Sequence, residues 1–105
     1  MYKMTKHAQV DRYDRICGII DSIGLGEPRL KIPHDEYPNR DYVLTTTGVL
    51  LIVSEDTYLI TAYVPTVAKV YAIFRTAMAH GRMPNDLYNA IVRNDKVRHK
   101  HPEWV

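Results

Sequence analysis

Three runs of β-branched and aromatic residues constrain the fold of this chain more than any other feature. They span residues 42–47, 49–53 and 58–64. Thr47-Gly48 separates the first run from the second, and Ser-Glu-Asp-Thr separates the second from the third. Connections this short suit hairpins and leave no room for the crossover that parallel neighbours need. The sequence therefore predicts an antiparallel β-meander over residues 41–64.

Side-chain alternation assigns faces within this meander. In the run 49–53 the residues on both faces of the strand are apolar, which predicts a central strand that is covered on both sides. In the last strand the period of two separates two sets of residues. The set Tyr58, Ile60, Ala62 and Val64 is expected to face the core, and the set Leu59, Thr61 and Tyr63 to face the other side.

Helical periodicity flanks the meander. Apolar residues recur at three-and-four spacing over residues 5–23, which predicts an amphipathic helix with Thr5 as its N-cap and Gly24 beyond its end. The single cysteine, Cys17, falls among these apolar positions and is expected in the core. Residues 27–40 are rich in proline and predict a loop with one short edge strand around 29–32.

After Pro65 the helical period returns. One helix is predicted over residues 67–80, with Gly81 ending it, and a second over 84–97. The buried face of the second helix is expected to carry Leu87, Tyr88, Ile91 and Val92. A basic tail is expected to follow. The fold class predicted is α+β: an N-terminal helix, an antiparallel meander of three to four strands and a C-terminal helical pair, in one domain over residues 1–105.

Composition excludes several classes of protein. No run approaches the length of about 18 apolar residues typical of a membrane helix, and a charged segment follows the first residues where a signal peptide would be apolar. We expect a cytoplasmic protein. His34, Asp35 and Glu36 form a local polar trio, but no second element offers ligand spacing. Neither a metal nor a cofactor is predicted.

Charge is distributed unevenly along the chain. Residues 66–105 carry seven basic and three acidic residues, a net charge of +4, whereas the remainder carries seven and nine, a net charge of −2. The basic end is suited to phosphate or to an acidic partner. A solvated helix surface with a frayed tail accounts for the same charges and is the favoured interpretation.

Five polar residues suggest a chemistry. Metal-free RNA cleavage needs a proton acceptor for the 2′-hydroxyl, a proton donor for the leaving oxygen, and cations or donors for the phosphorane. Histidine exchanges protons near neutrality, arginine matches phosphate oxygens, and tyrosine donates or stacks. A first helix packs on the sheet that follows it, so its flank lies near the strand ends. The candidate residues are His7, Arg12, Arg15, Thr61 and Tyr63.

The order of helix, loop and meander resembles that of the small toxin-like domains related to RelE, barnase and the ribonuclease colicins. The residues that carry the resemblance are Lys6-His7-Ala8, Arg12 and Arg15 in the helix and Ile60-Thr61-Ala62-Tyr63 in the last strand. The resemblance covers roughly residues 5–64. It implies metal-independent cleavage of RNA, with His7, Arg15 and Tyr63 as catalytic residues and Arg12 and Thr61 as substrate-binding residues. RNA and a cognate inhibitor or other protein are the partners expected.

The alternative hypothesis is a non-catalytic small binding protein. Two helices joined by Gly81-Arg82-Met83-Pro84, the second basic toward its end, resemble a DNA-binding helix-turn-helix or a protein-binding module. A ribonuclease should cut RNA in the presence of EDTA, whereas a DNA binder should show salt-dependent affinity residing in residues 66–105.

Overall fold

A computed structural model describes residues 2–4, 13–55 and 57–105. The strands are β1 (Lys3–Met4), β2 (Pro28–Pro33), β3 (Arg40–Thr45), β4 (Leu50–Ser54) and β5 (Tyr58–Tyr63). The α-helices are α1 (Tyr13–Ser22), α2 (Val67–Phe74), α3 (Asn85–Arg93) and α4 (Asp95–Lys100). Short 3₁₀ turns occupy Arg75–Ala77, Ala79–Gly81 and Pro102–Trp104. The fold is α+β, as the sequence predicts.

One mostly antiparallel sheet organises the molecule, with its strands in the order β1-β5-β4-β3-β2. Strands β2 to β5 form the predicted meander, and the proline-bounded β2 is the predicted edge strand. Strand β4 lies in the middle, as its two apolar faces indicate. Strand β1 pairs in parallel with β5 and precedes α1, so the first described element is a strand and the predicted N-terminal helix follows it.

An irregularity in β5 overturns the predicted alternation. Thr61 pairs with Ile52 and Leu59 pairs with Val53, so Ile60 is an extra residue in the ladder. A bulge of this kind shifts the alternation by one position, so residues an odd number apart across it share a face. Leu59 therefore joins Ala62 in the core under α1. The assignment of Leu59 to the face of Thr61 and Tyr63 was wrong. The assignment of Tyr58 and Ile60 to the core face with Ala62 was also wrong, because Tyr58 is 40% exposed and Ile60 lines the same cavity as Thr61.

Helix α1 and the C-terminal segment cover one face of the sheet. Ile16 and Ile19 of α1 are fully buried there, together with Trp104. The backbone N–H of Val64 donates to the carbonyl oxygen of Trp104 at 2.8 Å, and the Arg98 guanidinium donates to the Pro65 carbonyl at 2.9 Å. The predicted basic tail is wrong, because this segment forms α4 and a 3₁₀ turn that dock on the core.

Helices α2 and α3 cover part of the opposite face through Val70, Phe74, Leu87 and Ile91, which pack over Leu44 and Leu50. The Thr66 hydroxyl caps α2 by accepting a hydrogen bond from the Lys69 N–H. This helix ends at Phe74, earlier than predicted, and 3₁₀ turns continue it to Gly81.

The second predicted helix is divided at Asn94 between α3 and α4. The Asn94 side chain is buried and donates to the Thr47 carbonyl at 2.8 Å. Tyr88 and Val92 are 47% and 45% exposed, so the prediction that both are buried was wrong. Within the described ranges, the helices lack the combination of length and hydropathy that a membrane span requires.

Candidate functional site

A cleft lies on the sheet face that α2 and α3 cover only in part. The helices pack at the end of the sheet formed by Leu44 and Leu50, and the described residues leave the other end open. The cleft has a volume of about 790 Å³. Its lining residues come from the β2–β3 loop and from strands β3, β4 and β5: His34, Glu36, Tyr37, Arg40, Tyr42, Ile52, Ser54, Ile60, Thr61 and Tyr63.

The β2–β3 loop forms one wall of the cleft and is held by its own backbone. The His34 N–H donates to the Arg40 carbonyl at 2.9 Å, and the Arg40 N–H donates to the Tyr37 carbonyl at 3.1 Å. The Arg40 guanidinium carbon lies 4.3 Å from the centre of the Tyr37 ring. This cation–π contact leaves the guanidinium edges available for hydrogen bonds. The wall thus presents a cation and an aromatic ring together.

His34 has a defined hydrogen-bonding state. Its Nδ1 accepts from the N–H of Glu36 at 3.0 Å and from the N–H of Tyr37 at 3.3 Å. Asp35 Oδ1 also lies 3.2 Å from Nδ1, which would suit a protonated Nδ1. We assign Nδ1 as the acceptor, because the two amide hydrogens occupy its single in-plane lone pair. The ring hydrogen therefore resides on Nε2.

The Tyr42 ring packs against the His34 ring. The two rings stack with centroids 4.4 Å apart and planes inclined by 21°. The Tyr42 hydroxyl donates to Asp35 Oδ1 at 3.2 Å. Burial raises the pKa of the Tyr42 phenol, and the hydrogen bond to Asp35 with the negative charges of Asp35 and Glu36 raises it further. Tyr42 is consequently a neutral hydrogen-bond donor at physiological pH.

Thr61 lies in the floor of the cleft and is only 3% exposed. Among the residues that the structure describes, its Oγ1 has no hydrogen-bond partner. Buried hydroxyls are normally paired, and an unpaired one costs about 1 to 3 kcal/mol. Oγ1 is itself closed off from solvent, so it is an unpaired group beneath the cleft surface, and a ligand atom pairs with it only when the residues that cover it move.

Tyr63 closes the cleft at the end of β5 and is flanked by two cations. The Arg15 guanidinium carbon, from α1, lies 5.1 Å from the ring centre. The Lys69 Nζ, from α2, lies at the same distance of 5.1 Å. Helices from the two sides of the sheet therefore place positive charge at one tyrosine.

The structure accordingly brings together three of the residues that the sequence singles out. Arg15 contacts Tyr63, and Tyr63 lines the same cleft as Thr61. His7 and Arg12 lie outside the described residues, so their predicted roles stay predictions. The described residues contain no cluster of three metal-ligating side chains.

Sequence reasoning missed the wall of the cleft. The sequence pattern singles out His34 only within a local polar trio, and it does not single out Tyr37, Arg40 or Tyr42 as site residues. The available signal was the density of aromatic and charged residues in a proline-bounded connection between two strands, since loops placed by a rigid sheet often carry binding residues.

Comparisons of the chain with protein-family models, with curated proteins and with solved structures find no match.

Proposed function

We propose that this protein is a metal-independent, toxin-type endoribonuclease that acts on single-stranded RNA in the cleft. The observation that carries the proposal is the combination of Tyr37, Tyr42 and Tyr63 with His34 and Arg40 around one open cavity. Protein sites for unpaired RNA pair aromatic rings, on which bases stack, with cations that bind the phosphates. The resemblance of residues 5–64 to ribonuclease toxins supports the same function.

The chemistry assigns each group a role. In a metal-free cleavage the 2′-oxygen bonds to phosphorus as a base removes its proton, and the bond from phosphorus to the 5′-oxygen breaks as an acid protonates that oxygen. His7 is the residue proposed to exchange these protons. Arg15 and Arg12 stabilise the phosphorane charge, while Tyr63 and Thr61 donate hydrogen bonds to the phosphate or stack against a base.

The first test is RNA cleavage in the presence of EDTA. The wild-type protein should cut RNA, and His7→Ala should cut it about 10²-fold more slowly, as expected for the loss of one acid–base group. His80→Ala is the matched control, because His80 is exposed on a 3₁₀ turn and does not line the cleft. Absence of cleavage by the wild type, or equal rates in wild type and His7→Ala, would contradict the assignment.

The runner-up function is binding through the C-terminal helices. Lys96, His99 and Lys100 line a second groove, of about 540 Å³, and Arg93 is exposed nearby along the chain. Because α4 has only six residues, this surface suits phosphate or an acidic protein better than base-specific contacts in a DNA groove. Salt-dependent binding that Lys96→Ala and Lys100→Ala abolish, without any cleavage, would favour it over the ribonuclease.

Location and partners follow from the proposal. A ribonuclease of this type would act in the cytoplasm, where its RNA substrates are. A cognate inhibitor would be an acidic protein that covers Arg15 and Arg40, and its binding would suppress cleavage.

A further inference from the structure

We infer that His34 binds the RNA as a neutral imidazole and donates a hydrogen bond from Nε2 to a phosphate oxygen. The inference rests on the proposed function in that it takes the ligand of the cleft to be RNA. It adds a binding residue that neither the sequence pattern nor the resemblance assigns. It also separates this histidine from the proton exchange proposed for His7.

The hydrogen bonds of the β2–β3 loop determine which nitrogen of His34 holds the ring hydrogen. The N–H groups of Glu36 and Tyr37 both donate to Nδ1 of His34, at 3.0 and 3.3 Å. A hydrogen on Nδ1 would point at these donors, so the neutral ring with its hydrogen on Nε2 is the favoured state. Within the described part of the chain, no hydrogen bond engages Nε2. A residue in this state can donate from Nε2 but cannot accept a proton there.

Packing fixes the ring that carries this donor. The His34 side chain is 9% exposed and stacks on Tyr42, whose hydroxyl is held by Asp35. The loop is closed by a hydrogen bond from the His34 N–H to the Arg40 carbonyl. A donor held by packing on one side and by backbone amides on another is preorganised, and little conformational entropy is lost when a ligand binds.

The neighbours of His34 identify the chemical class of the acceptor. Arg40 supplies a permanent positive charge on the same wall, over the Tyr37 ring. A cation and a neutral N–H on one wall of the cavity match an anionic group with several acceptor oxygens. A phosphate of the RNA backbone has these properties, and Tyr37, which is 48% exposed on the same wall, offers a ring on which an adjoining base would stack.

The tautomer can be measured in the wild-type protein. Long-range nitrogen–hydrogen correlation spectra of the full chain, labelled with ¹⁵N-histidine and recorded at neutral pH, should show Nδ1 of His34 without a hydrogen and Nε2 with one. The His34 signals are identified by their loss in His34→Asn. A hydrogen on Nδ1, in a neutral or a charged ring, would overturn the inference. This measurement does not depend on the stability of any variant.

The binding role is tested with a single-stranded RNA tetranucleotide methylated at every 2′-oxygen, which cannot be cleaved because its nucleophile is blocked. Its addition should shift the Nε2 signal of His34. In His34→Asn, the side-chain oxygen can still accept from the N–H two residues ahead, as in an Asx turn, but the ring and the Nε2 donor are gone. The affinity should fall about tenfold or more, as for a lost hydrogen bond to a charged group.

His80→Asn is the matched control. His80 is exposed at a positive φ of 56°, which asparagine tolerates, and it does not line the cleft. Its variant should bind the methylated RNA as the wild type does. Unchanged affinity in His34→Asn, or no binding by the wild type, would overturn the inference. If the methylated RNA binds as expected but no RNA is cut, the binding role stands and the proposed ribonuclease activity fails. If RNA is cut and His34→Asn binds normally, only the role of His34 fails.

Discussion

Trp104 lies against Gly18 so closely that a β-carbon at position 18 would be 2.5 Å from Cζ2 of the indole. The contact joins the C-terminal 3₁₀ turn to the middle of α1. Arg15 is three residues from Gly18 on the same helix, and residues at this spacing share a face. The packing of Trp104 against Gly18 thus helps to set the position from which Arg15 contacts Tyr63.

Gly18→Ala should therefore destabilise the protein even though alanine favours helix. Overpacking of a dense core typically costs about 1 to 3 kcal/mol, and the gain in helix propensity returns up to about 1 kcal/mol. We expect a net loss of about 1 to 2 kcal/mol in the free energy of unfolding, measured in urea.

A double-mutant cycle tests the cause of this loss. Trp104→Leu removes the indole, so Gly18→Ala in that background should be neutral or stabilising. Asp21→Ala, at an exposed position of α1, should have little effect in either background. The same loss in both backgrounds would show that the contact between Gly18 and Trp104 is not responsible.

Thr61→Val should raise stability and weaken function at once. Valine has nearly the shape of threonine and removes a buried hydroxyl that has no partner among the described residues. The free energy of unfolding should rise by about 1 kcal/mol or more. Binding of methylated RNA should weaken, because the proposed function gives this hydroxyl a hydrogen bond to the ligand, formed when the ligand displaces the residues that cover Oγ1. A loss of stability, measured by thermal or urea unfolding, would show that Oγ1 is already paired.

Tyr42 should make stability depend on alkaline pH. Its pKa is raised in the folded protein, first by burial and then by Asp35. The stabilisation of the folded state that comes from this raised pKa is fully present below the unfolded pKa of about 10. Above it the unfolded chain loses its proton first, so stability falls as the pH rises through the folded pKa.

Tyr42→Phe is the variant that isolates this effect. It should be less stable than the wild type at neutral pH, because Asp35 loses a donor, and its stability should decline less steeply above about pH 10. Urea unfolding over a pH series measures both. Tyr88→Phe, at an exposed tyrosine of α3, should follow the wild-type decline. Parallel declines in wild type and Tyr42→Phe would contradict the assigned cause.

The antiparallel meander was predictable because it depends on local signals. Alternating β-branched residues and two short connections determine β3, β4 and β5, and two apolar faces place β4 in the middle. The bulge at Ile60 was not predictable, since nothing in the run of apolar residues around it distinguishes a regular strand from an irregular one. Strand β1 is only two residues long and offers no period. The docking of Trp104 depends on tertiary contacts with Gly18 and Val64 that no local pattern shows.

One part of the candidate site was predictable from the sequence and another part was not. The neighbourhood of Arg15 and Tyr63 follows from a general rule, that a helix packs on the sheet next to it. The wall of His34, Tyr37 and Arg40 depends on loop dihedral angles and on two backbone amides that donate to one ring nitrogen. Those features belong to the folded loop and have no periodic signature in the sequence.

The proposed ribonuclease site is tested most directly by the rate at which the protein cuts single-stranded RNA in EDTA, compared between Arg15→Ala and Arg82→Ala. Arg82 is exposed, does not line the cleft and has no cation–π contact with Tyr63, whereas Arg15 lies 5.1 Å from the Tyr63 ring centre, so the Arg82 variant controls for general loss of positive charge. We predict that the wild type and Arg82→Ala cut at similar rates and that Arg15→Ala is slower by about 10²-fold, the range for one group that stabilises transition-state charge. No metal-free cleavage by the wild type, or equal rates in the two variants, would contradict the assignment of the cleft as a ribonuclease site.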